Sequence, residues 1–358
     1  MSAEKPAMST LSICIPTFNR ARNLRNLFQT LAEVKKRFPT EVEICISNNA
    51  STDGTATLLA EHQEELDLKV LHQPRNVGAT ANIIAVTKMM SGRWGIWVGD
   101  DDELLPGVFE DLLGYLRTVE QNGWVLVETE NLEGAHQYLR QFREGAYHSA
   151  EYRRQLLMHG THSLSFMGVH VFPRSAVPAF CDLTVKEGQP WPQIAVMMRL
   201  LVEADQKVYV LRKAVVAQAK GGAVLFWSGG DLARLKLGKV NVLKNVFRRC
   251  RRGYFFLHLM MLRELLEPPA IKALMAWKLY EGTDYDKNAL CTYLPSYAWF
   301  GPFLPLTIPH LVLTLLLRVV PHSIYAGFFR AIGMGHLLSR YLTLKSELGV
   351  YDAIKRGL

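Results

Sequence analysis

The chain has 358 residues, of which 49% are hydrophobic, so its length predicts two domains and its composition excludes disorder as the default. Its net charge of +8 lies entirely after Gly230: residues 1–230 carry 23 Lys+Arg against 25 Asp+Glu, and residues 231–358 carry 18 against 8. Five widely spaced cysteines without a C-x-x-C pair exclude a disulfide or zinc framework and predict buried thiols in a reducing cytoplasm.

Strand-like apolar runs alternate with amphipathic stretches along the first hundred residues. The predicted strands are 11–16, 41–47, 68–72 and 94–98, and the predicted helices are 23–38, 55–65 and 79–90. Ser51, Thr52 and Asp53 are good N-cap residues before the second helix, where free backbone N–H groups face a possible anion. This alternation indicates βαβ units, an α/β class and a mostly parallel, Rossmann-like sheet flanked by helices.

Three consecutive aspartates, Asp100 to Asp102, follow the predicted strand at 94–98. Carboxylates at a strand end splay apart unless a bend or a shared cation brings them together. Aspartate also favours solvated turns, and that interpretation stays open. The position favours a ligand site, because open α/β sheets bind ligands beyond the carboxyl ends of their strands.

The second part of the predicted sheet is less regular. The predicted elements are a helix at 104–121, a strand at 123–127, a polar loop and helix at 130–154, a strand at 163–172, a helix at 193–203 and a strand at 208–217. Neither G-x-G-x-x-G nor G-x-x-x-x-G-K-[ST] occurs, so a bound nucleotide must be held in another way.

The basic C-terminal part predicts a second, helical domain at 231–358. Residues 234–252 hold eight Lys or Arg and no acidic residue in an amphipathic pattern, and residues 297–320 are apolar but contain three prolines. Interior prolines disfavour a spanning helix, so we interpret the region as membrane-associating, monotopic or re-entrant, and bound to anionic lipid. A spanning helix and a soluble helical subdomain remain alternatives. Nucleic acid is not an expected partner, since no nucleic-acid-binding motif is present.

Four motifs in order resemble the family 2 glycosyltransferases of GT-A fold. They are C-I-P-T-F-N-R at 14–20, S-N-N-A-S-T-D-G-T at 47–55, R-N-V-G-A-T-A-N at 75–82 and G-D-D-D-E-L-L-P at 99–106. The resemblance covers about residues 9 to 115, and within the family it is most similar to abequosyltransferase-type enzymes of bacterial O-antigen assembly. It implies a GT-A catalytic domain at 1–230.

The resemblance assigns a nucleotide-sugar donor to residues at the strand ends. The implied donor-binding residues are Pro16, Thr17, Asn19, Asn48, Asn49, Arg75, Asn76, Gly78, Asn82, Asp100 and Asp101. Asn48 stands where most members have an acidic residue, which leaves the donor base open. Gly78 would allow close approach of the donor, Asn76 has a helix-capping alternative, and Ser51 and Asp53 would shape the loop.

The aspartates correspond to the family's D-x-D motif, so Asp100, Asp101 and Asp102 are the implied ligands of Mg²⁺ or Mn²⁺. The resemblance implies that the metal holds the donor diphosphate and neutralises the charge of the leaving group, which makes Asp102 a catalytic candidate. Alignment leaves open which two of the three serve.

The proton acceptor is the weakest part of the resemblance. Inverting members place an acidic pair before a helix in the second half, but here that place falls near Gln193, which cannot accept a proton. Glu187 is the nearest carboxylate and the catalytic candidate, with Asp182 behind it, and a retaining or substrate-assisted course stays open. His162 and His170 are more often structural. Trp191 and Gln193 are the implied acceptor residues, with a core role as the alternative for Trp191.

The resemblance and the tail together predict a metal-dependent glycosyltransferase of O-antigen or surface polysaccharide synthesis. It would move a sugar from a nucleotide-sugar to a lipid-linked, polyprenyl-diphosphate saccharide on the cytoplasmic face of the bacterial inner membrane. The alternatives are a polyprenyl-phosphate glycosyltransferase and a non-catalytic, nucleotide-sugar-binding membrane scaffold.

Overall fold

A computed structural model describes residues 9–130, 138–183, 191–218 and 254–266, together with Lys239, Val242, Leu243, Asn245 and Val246. The described residues up to 218, with Asn245, Val246 and Tyr254, belong to one compact unit, and the others belong to a second. The predicted boundary after Gly230, most of the basic stretch and the apolar stretch at 297–320 lie outside the described residues. Within the described part, no helix combines the length and apolarity that crossing a bilayer requires.

The described elements are nine strands, eight α-helices and four short 3₁₀ turns. The strands are β1 (Leu11–Thr17), β2 (Val42–Asn48), β3 (Leu68–His72), β4 (Trp94–Trp97), β5 (Asp102–Leu104), β6 (Trp124–Glu130), β7 (Gly145–Tyr147), β8 (His170–Pro173) and β9 (Val208–Gln218). The helices are α1 (Ala21–Arg37), α2 (Thr55–His62), α3 (Ala79–Met89), α4 (Phe109–Thr118), α5 (Ser149–His159), α6 (Val177–Cys181), α7 (Pro192–Glu203) and α8 (Tyr254–Leu266).

The strands form one mixed sheet in the order β3-β2-β1-β4-β8-β6-β9-β5, with β7 paired to β9. The α/β class is confirmed, and every pairing among β1, β2, β3 and β4 is parallel. The prediction of a mostly parallel sheet holds only in part: β6 also pairs with β9 in parallel, whereas β8 runs antiparallel to β4 and β6, and β5 and β7 run antiparallel to β9. The antiparallel pairings all involve β5, β7 or β8, strands of three or four residues, whereas the parallel pair of β6 and β9 is formed by strands of seven and eleven residues.

The predicted strand at 163–172 is wrong over most of its length. Two 3₁₀ turns, at 162–164 and 167–169, precede β8, which begins only at His170. A Cβ on Gly168 would lie 2.8 Å from the Phe166 ring, so a side chain at this position would force that ring to move. The apolar alternation that suggested a strand therefore comes from residues buried in turns.

The parallel half is held together by an apolar core and by one buried carboxylate. Helix α1 buries Leu24, Leu27, Phe28, Leu31 and Val34, which recur at helical spacing along one face. At the amino ends of the strands, Glu43 is 4% exposed and accepts hydrogen bonds from Ser12, Ser91, Gly92 and Lys69. Burial alone would raise the pKa of Glu43, but these hydrogen bonds outweigh it and lower the pKa to about 2.

Candidate functional site

The candidate site lies at the carboxyl edge of the parallel strands, opposite Glu43. Strands β1, β2 and β4 are almost completely buried, so the polar residues that follow them emerge together at one edge. Four loops meet there, at residues 17–20, 48–54, 73–78 and 98–101. This edge is where open α/β sheets bind ligands.

The first two loops are joined through Asn19. Its φ of +53° is a left-handed conformation that asparagine tolerates better than most residues. The Asn19 N–H donates to Ser51 Oγ at 2.9 Å, and its Oδ1 accepts from the Thr52 N–H at 2.7 Å. Asp53 accepts from the N–H of Ala21 at the start of α1 and from that of Thr55 at the start of α2. Ser51 and Asp53 thus shape the loops, as expected.

Asn48 and Asn49 join the second loop to the third. Asn49 Oδ1 accepts from the Val77 N–H at 2.8 Å, and its Nδ2 donates to Asn76 Oδ1 at 2.9 Å. The same Asn76 oxygen accepts from the Gly78 N–H, which fixes the orientation of both amides. Asn48, 2% exposed, accepts from the Ser51 N–H and contacts His72 Nδ1 at 3.2 Å. The uncharged side chains of Asn48 and Asn49 therefore connect the second loop to the third.

Asn82 and Gly78 set the start of α3. Asn82 is 2% exposed and uses its amide to bind Ser47 and the Thr17 carbonyl, so it ties β1 to β2. Gly78 has φ +87° and ψ 158°, a region essentially restricted to glycine. A Cβ there would meet no atom within 4 Å. Glycine is required at position 78 by these backbone dihedral angles and not by contacts with neighbouring atoms. The predicted close approach of a donor to Gly78 stays a prediction. Arg75 and Asn76 are exposed beside it.

Asp100 and Asp101 lie on the turn between β4 and β5, and Asp102 is the first residue of β5. The Asp102 N–H donates to the Gly99 carbonyl at 3.1 Å, and Asp102 Oδ2 accepts from the Gly99 N–H at 3.2 Å. Asp100 and Asp101 instead face Arg20, whose guanidinium nitrogens lie 3.8 Å and 3.7 Å from their carboxylate oxygens. The turn thus separates Asp102 from a pair of carboxylates that share one cation.

Burial dominates the electrostatics of the turn. It raises the pKa of Asp100 to about 7, although the nearby Thr17 hydroxyl and Arg20 oppose the shift. It raises the pKa of Asp102 to about 8, with the Asp101 charge adding to the effect. The Thr17 hydroxyl is buried near Asp100 without a well-formed hydrogen bond. A cation at this turn would favour the ionised carboxylates.

The turn fits a divalent metal in its donor type. Carboxylate oxygens are the ligands that Mg²⁺ and Mn²⁺ prefer, and Asp100 and Asp101 already face the same positive charge. Across the described ranges, however, no three His, Cys, Asp or Glu side chains converge into a ligand cluster. The pair fits the ion, whereas a site of all three aspartates stays a prediction.

The expected proton-acceptor and acceptor residues are only partly described. Glu187 lies outside the described residues. Gln193 is 1% exposed in the first turn of α7, with its Nε2 donating to the Ser165 carbonyl at 3.5 Å. Among the described residues, nothing donates to its Oε1. Trp191 lies half-buried just before α7, and Asp182 is exposed and 3.8 Å from Arg199.

His170 is structural. It is fully buried, its Nδ1 accepts from Trp124 Nε1 at 3.1 Å, and its Nε2 lies 3.0 Å from the Leu164 carbonyl. These two partners require a neutral imidazole with the proton on Nε2. Burial lowers the pKa of His170 to about 4. His162 packs against Tyr138 with the two rings tilted by 38° and their centroids 5.6 Å apart.

Two residues at the edge received no role from the sequence. Arg20 is the last residue of the first motif. Its side chain is long enough to reach the aspartates, and that length is the signal from which the sequence could have predicted the contact. Phe18 is one of two large hydrophobic residues with exposed side chains in the part of the chain that the structure describes, at 39%. Asn19 beside it is exposed as well, whereas Cys14, Ile15 and Thr17 of the same motif are buried.

A comparison with protein families finds a match for the part of the chain that forms this edge of the sheet. Residues 12–172 match the family described as Glycosyl transferase family 2. The abequosyltransferase RfbV of Salmonella typhimurium is 33% identical over 110 residues, which are 30% of this chain and 32% of RfbV. The poly(ribitol-phosphate) beta-N-acetylglucosaminyltransferase TarS of Staphylococcus aureus is 28% identical over 111 residues, 30% of this chain and 19% of TarS. The matched part thus spans a third or less of these relatives.

Solved structures share the fold. TarS 1–349 of S. aureus in complex with UDP has a TM-score of 0.55 at 16% identity, covering 75% of this chain and 80% of that one. The mannosyltransferase PcManGT of Pyrobaculum calidifontis, in complex with GDP-Man and Mn²⁺, has a TM-score of 0.51 at 15% identity, covering 90% and 89%. At these identities the likeness shows the fold alone.

Proposed function

Because residues 12–172 match the family described as Glycosyl transferase family 2, we propose that this protein transfers one sugar from a nucleotide-sugar donor to a hydroxyl of a lipid-linked, polyprenyl-diphosphate saccharide. The process would be bacterial surface-polysaccharide synthesis. The observation that carries the proposal is the arrangement of the edge: uncharged asparagine-linked loops lead to a turn where Asp100 and Asp101 face Arg20.

The donor would lie across this edge. The exposed ring of Phe18 offers an apolar face for a base, and the exposed Arg75 and Asn76 border the same edge. The amides of Asn19, Asn48, Asn49 and Asn82 are used mainly within the protein, so they hold the loops in place for the donor. Preorganised loops lower the entropy cost of binding.

Asp100 and Asp101 would hold Mg²⁺ or Mn²⁺. When bound, the ion would supply electrostatic stabilisation of the departing nucleoside diphosphate. The support is the ligand type and the shared orientation of the two carboxylates. The chain's own part is to keep these carboxylates within a buried turn, where charge interactions are stronger than in water. Glu187 is proposed to accept the proton of the acceptor hydroxyl.

The acceptor and the location rest on sequence and on relatives. The basic, apolar composition of residues 231–358 supports docking at the cytoplasmic face of an anionic inner membrane. TarS, by its name, modifies poly(ribitol-phosphate), which makes a bacterial surface polymer a reasonable class of acceptor. Burial of Gln193 at the place expected for a proton acceptor favours one rival, a donor-binding protein without turnover.

The test is sugar transfer by the full chain with UDP-, GDP-, CDP- and dTDP-sugars, Mn²⁺ and membrane extract as acceptor source. One donor should give radiolabelled, solvent-extractable lipid product, and Asp100→Asn together with Asp101→Asn should lower its rate at least a hundredfold. Asp67→Asn, which alters an exposed carboxylate paired with Lys35, should leave the rate unchanged. Donor binding without transfer or hydrolysis for every donor would support the rival instead.

A further inference from the structure

We propose that Arg20 is the resident counter-cation of the Asp100–Asp101 pair, which a divalent ion displaces and which then serves the donor's diphosphate. This inference rests on the proposed function, because it concerns how the same site receives metal and donor. It assigns Arg20 a positioning role that makes metal binding and diphosphate binding interdependent.

The contact is an ion pair without tight hydrogen bonds to the aspartates. Arg20 Nε lies 3.8 Å from Asp100 Oδ1, and another guanidinium nitrogen lies 3.7 Å from Asp101 Oδ2. Charge-assisted N–H···O bonds are about 2.7–2.9 Å long, so both separations are nearly 1 Å longer. A guanidinium that attracts both carboxylates without closing on either can be exchanged for a stronger cation.

The backbone of Arg20 is fixed, so exchange would involve its side chain. Its N–H donates to Thr55 Oγ1 at 3.2 Å, and its carbonyl accepts from the Leu24 N–H at 3.0 Å in the first turn of α1. Asn19, held by Ser51 and Thr52, precedes it. The side chain of Arg20 is 19% exposed, so it is partly open to solvent beside the two carboxylates.

The charges at the turn favour exchange. Three consecutive aspartates lie at the turn and at the start of β5, and Arg20 supplies a single positive charge to two of them. A divalent ion supplies twice that charge from a smaller radius, so it interacts more strongly with the same carboxylates. An arginine released beside them is then available to a diphosphate, whose oxygens suit its planar fork of donors.

If Arg20 and a divalent ion compete for the same two carboxylates, removal of Arg20 should change the binding of the metal and the binding of the diphosphate in opposite directions. Arg20 competes with the metal when no diphosphate is present, and it assists diphosphate binding once the metal is in place. An arginine that merely ordered the turn would weaken both ligands when removed.

The experiment measures Mn²⁺ binding to the full chain by electron paramagnetic resonance, without nucleotide, and then binding of inorganic pyrophosphate at saturating Mn²⁺ by calorimetry. Arg20→Ala should bind Mn²⁺ about tenfold more tightly than the unaltered chain, and it should bind pyrophosphate at least tenfold more weakly. Arg20→Lys keeps the charge without the planar fork, so its Mn²⁺ affinity should stay within about twofold while pyrophosphate binding still weakens.

Arg22→Ala is the matched control, since Arg22 is exposed two residues further along α1. It removes the same charge from the same helix end and should change both affinities less than about twofold. Thermal unfolding of each variant separates a change in affinity from a loss of folding.

Unchanged or weaker Mn²⁺ binding by a folded Arg20→Ala variant would overturn the inference. Absence of Mn²⁺ binding by every form would overturn it as well. Neither outcome decides the proposed function, because sugar transfer in the presence of a chelator would show a transferase that uses no metal. Absence of transfer together with the predicted exchange would instead refute the function and leave the role of Arg20 intact.

Discussion

The side chains of Asn49 and Asn76 meet amide to amide, with Nδ2 of Asn49 donating to Oδ1 of Asn76 at 2.9 Å. Each oxygen also accepts a backbone N–H, from Val77 for Asn49 and from Gly78 for Asn76. The loop after β2 is thereby fixed to the loop after β3. An uncharged pair holds two segments that, by the family resemblance, face the donor.

Asn49→Asp should break this connection. A carboxylate still accepts from the Val77 N–H, but it cannot donate to Asn76, so two oxygens would face each other. We expect a loss of about 1–2 kcal/mol in the free energy of unfolding, measured by urea denaturation, and weaker donor binding in calorimetry. Asn26→Asp, on the exposed face of α1, should change neither. Equal stability of Asn49→Asp and the unaltered chain would show that the amide pair is dispensable.

Gly99→Ala should disable the aspartate turn without unfolding the protein. A Cβ at Gly99 would lie 2.5 Å from Asp102 Oδ2 and 3.0 Å from Asp101 Oδ1, so both carboxylates would have to move. We expect at least a tenfold loss of transfer rate and of Mn²⁺ affinity. Gly114→Ala is the control: a Cβ there meets nothing within 4 Å inside α4, and alanine should stabilise that helix by up to about 1 kcal/mol. Full activity of Gly99→Ala would argue against a role for these carboxylates.

Stability should fall in acid because of Glu43. Its pKa is lowered from 4.5 to about 2 in the folded chain, so its contribution is present above pH 4.5 and is lost as the pH falls towards 2. Glu43→Gln should cost about 2–3 kcal/mol at pH 7 and should flatten the dependence of unfolding free energy on pH in that window. Glu64→Gln, at an exposed position of the same region, should leave the curve unchanged. A curve for Glu43→Gln that parallels the unaltered chain would contradict the assignment.

His170 should destabilise the fold in a higher pH range. Its pKa is lowered from 6.5 to about 4, so the unfolded chain takes up the proton first, and stability is lost as the pH falls from 6.5 to 4. His170→Phe should remove this slope while costing about 1–3 kcal/mol at pH 8, because Trp124 Nε1 and the Leu164 carbonyl lose their partner. His159→Phe, at the exposed end of α5, should retain the slope. Chemical denaturation across this range provides the measurement.

The first half of the fold was readable from sequence because its signals are local. Leu24, Leu27, Leu31 and Val34 recur at helical spacing and are buried, and the strand predicted at 68–72 is β3. The short antiparallel strands of the other half were not readable in the same way. Strands β5 and β7 have three residues each, too few for a periodic pattern, and exist through pairing with β9.

The sequence predicted which residues lie at the candidate site better than it predicted the contacts among them. The motifs placed the asparagines and aspartates at one edge, because the carboxyl ends of parallel strands coincide. The motifs did not show that the Asn82 side chain forms its hydrogen bonds with Ser47 and Thr17, or that Arg20 faces two aspartates. Contacts between residues 35 or 80 positions apart depend on loop conformation, which composition does not encode.

Asp102 is the first residue of β5, and it lies opposite Gln218, the last residue of β9. A three-residue ladder therefore decides which way this carboxylate points, since a slip of one position would turn the side chain to the other face of the sheet. Shortening β9 by its last residue would therefore remove the pairing partner of Asp102 before that of any other residue of β5.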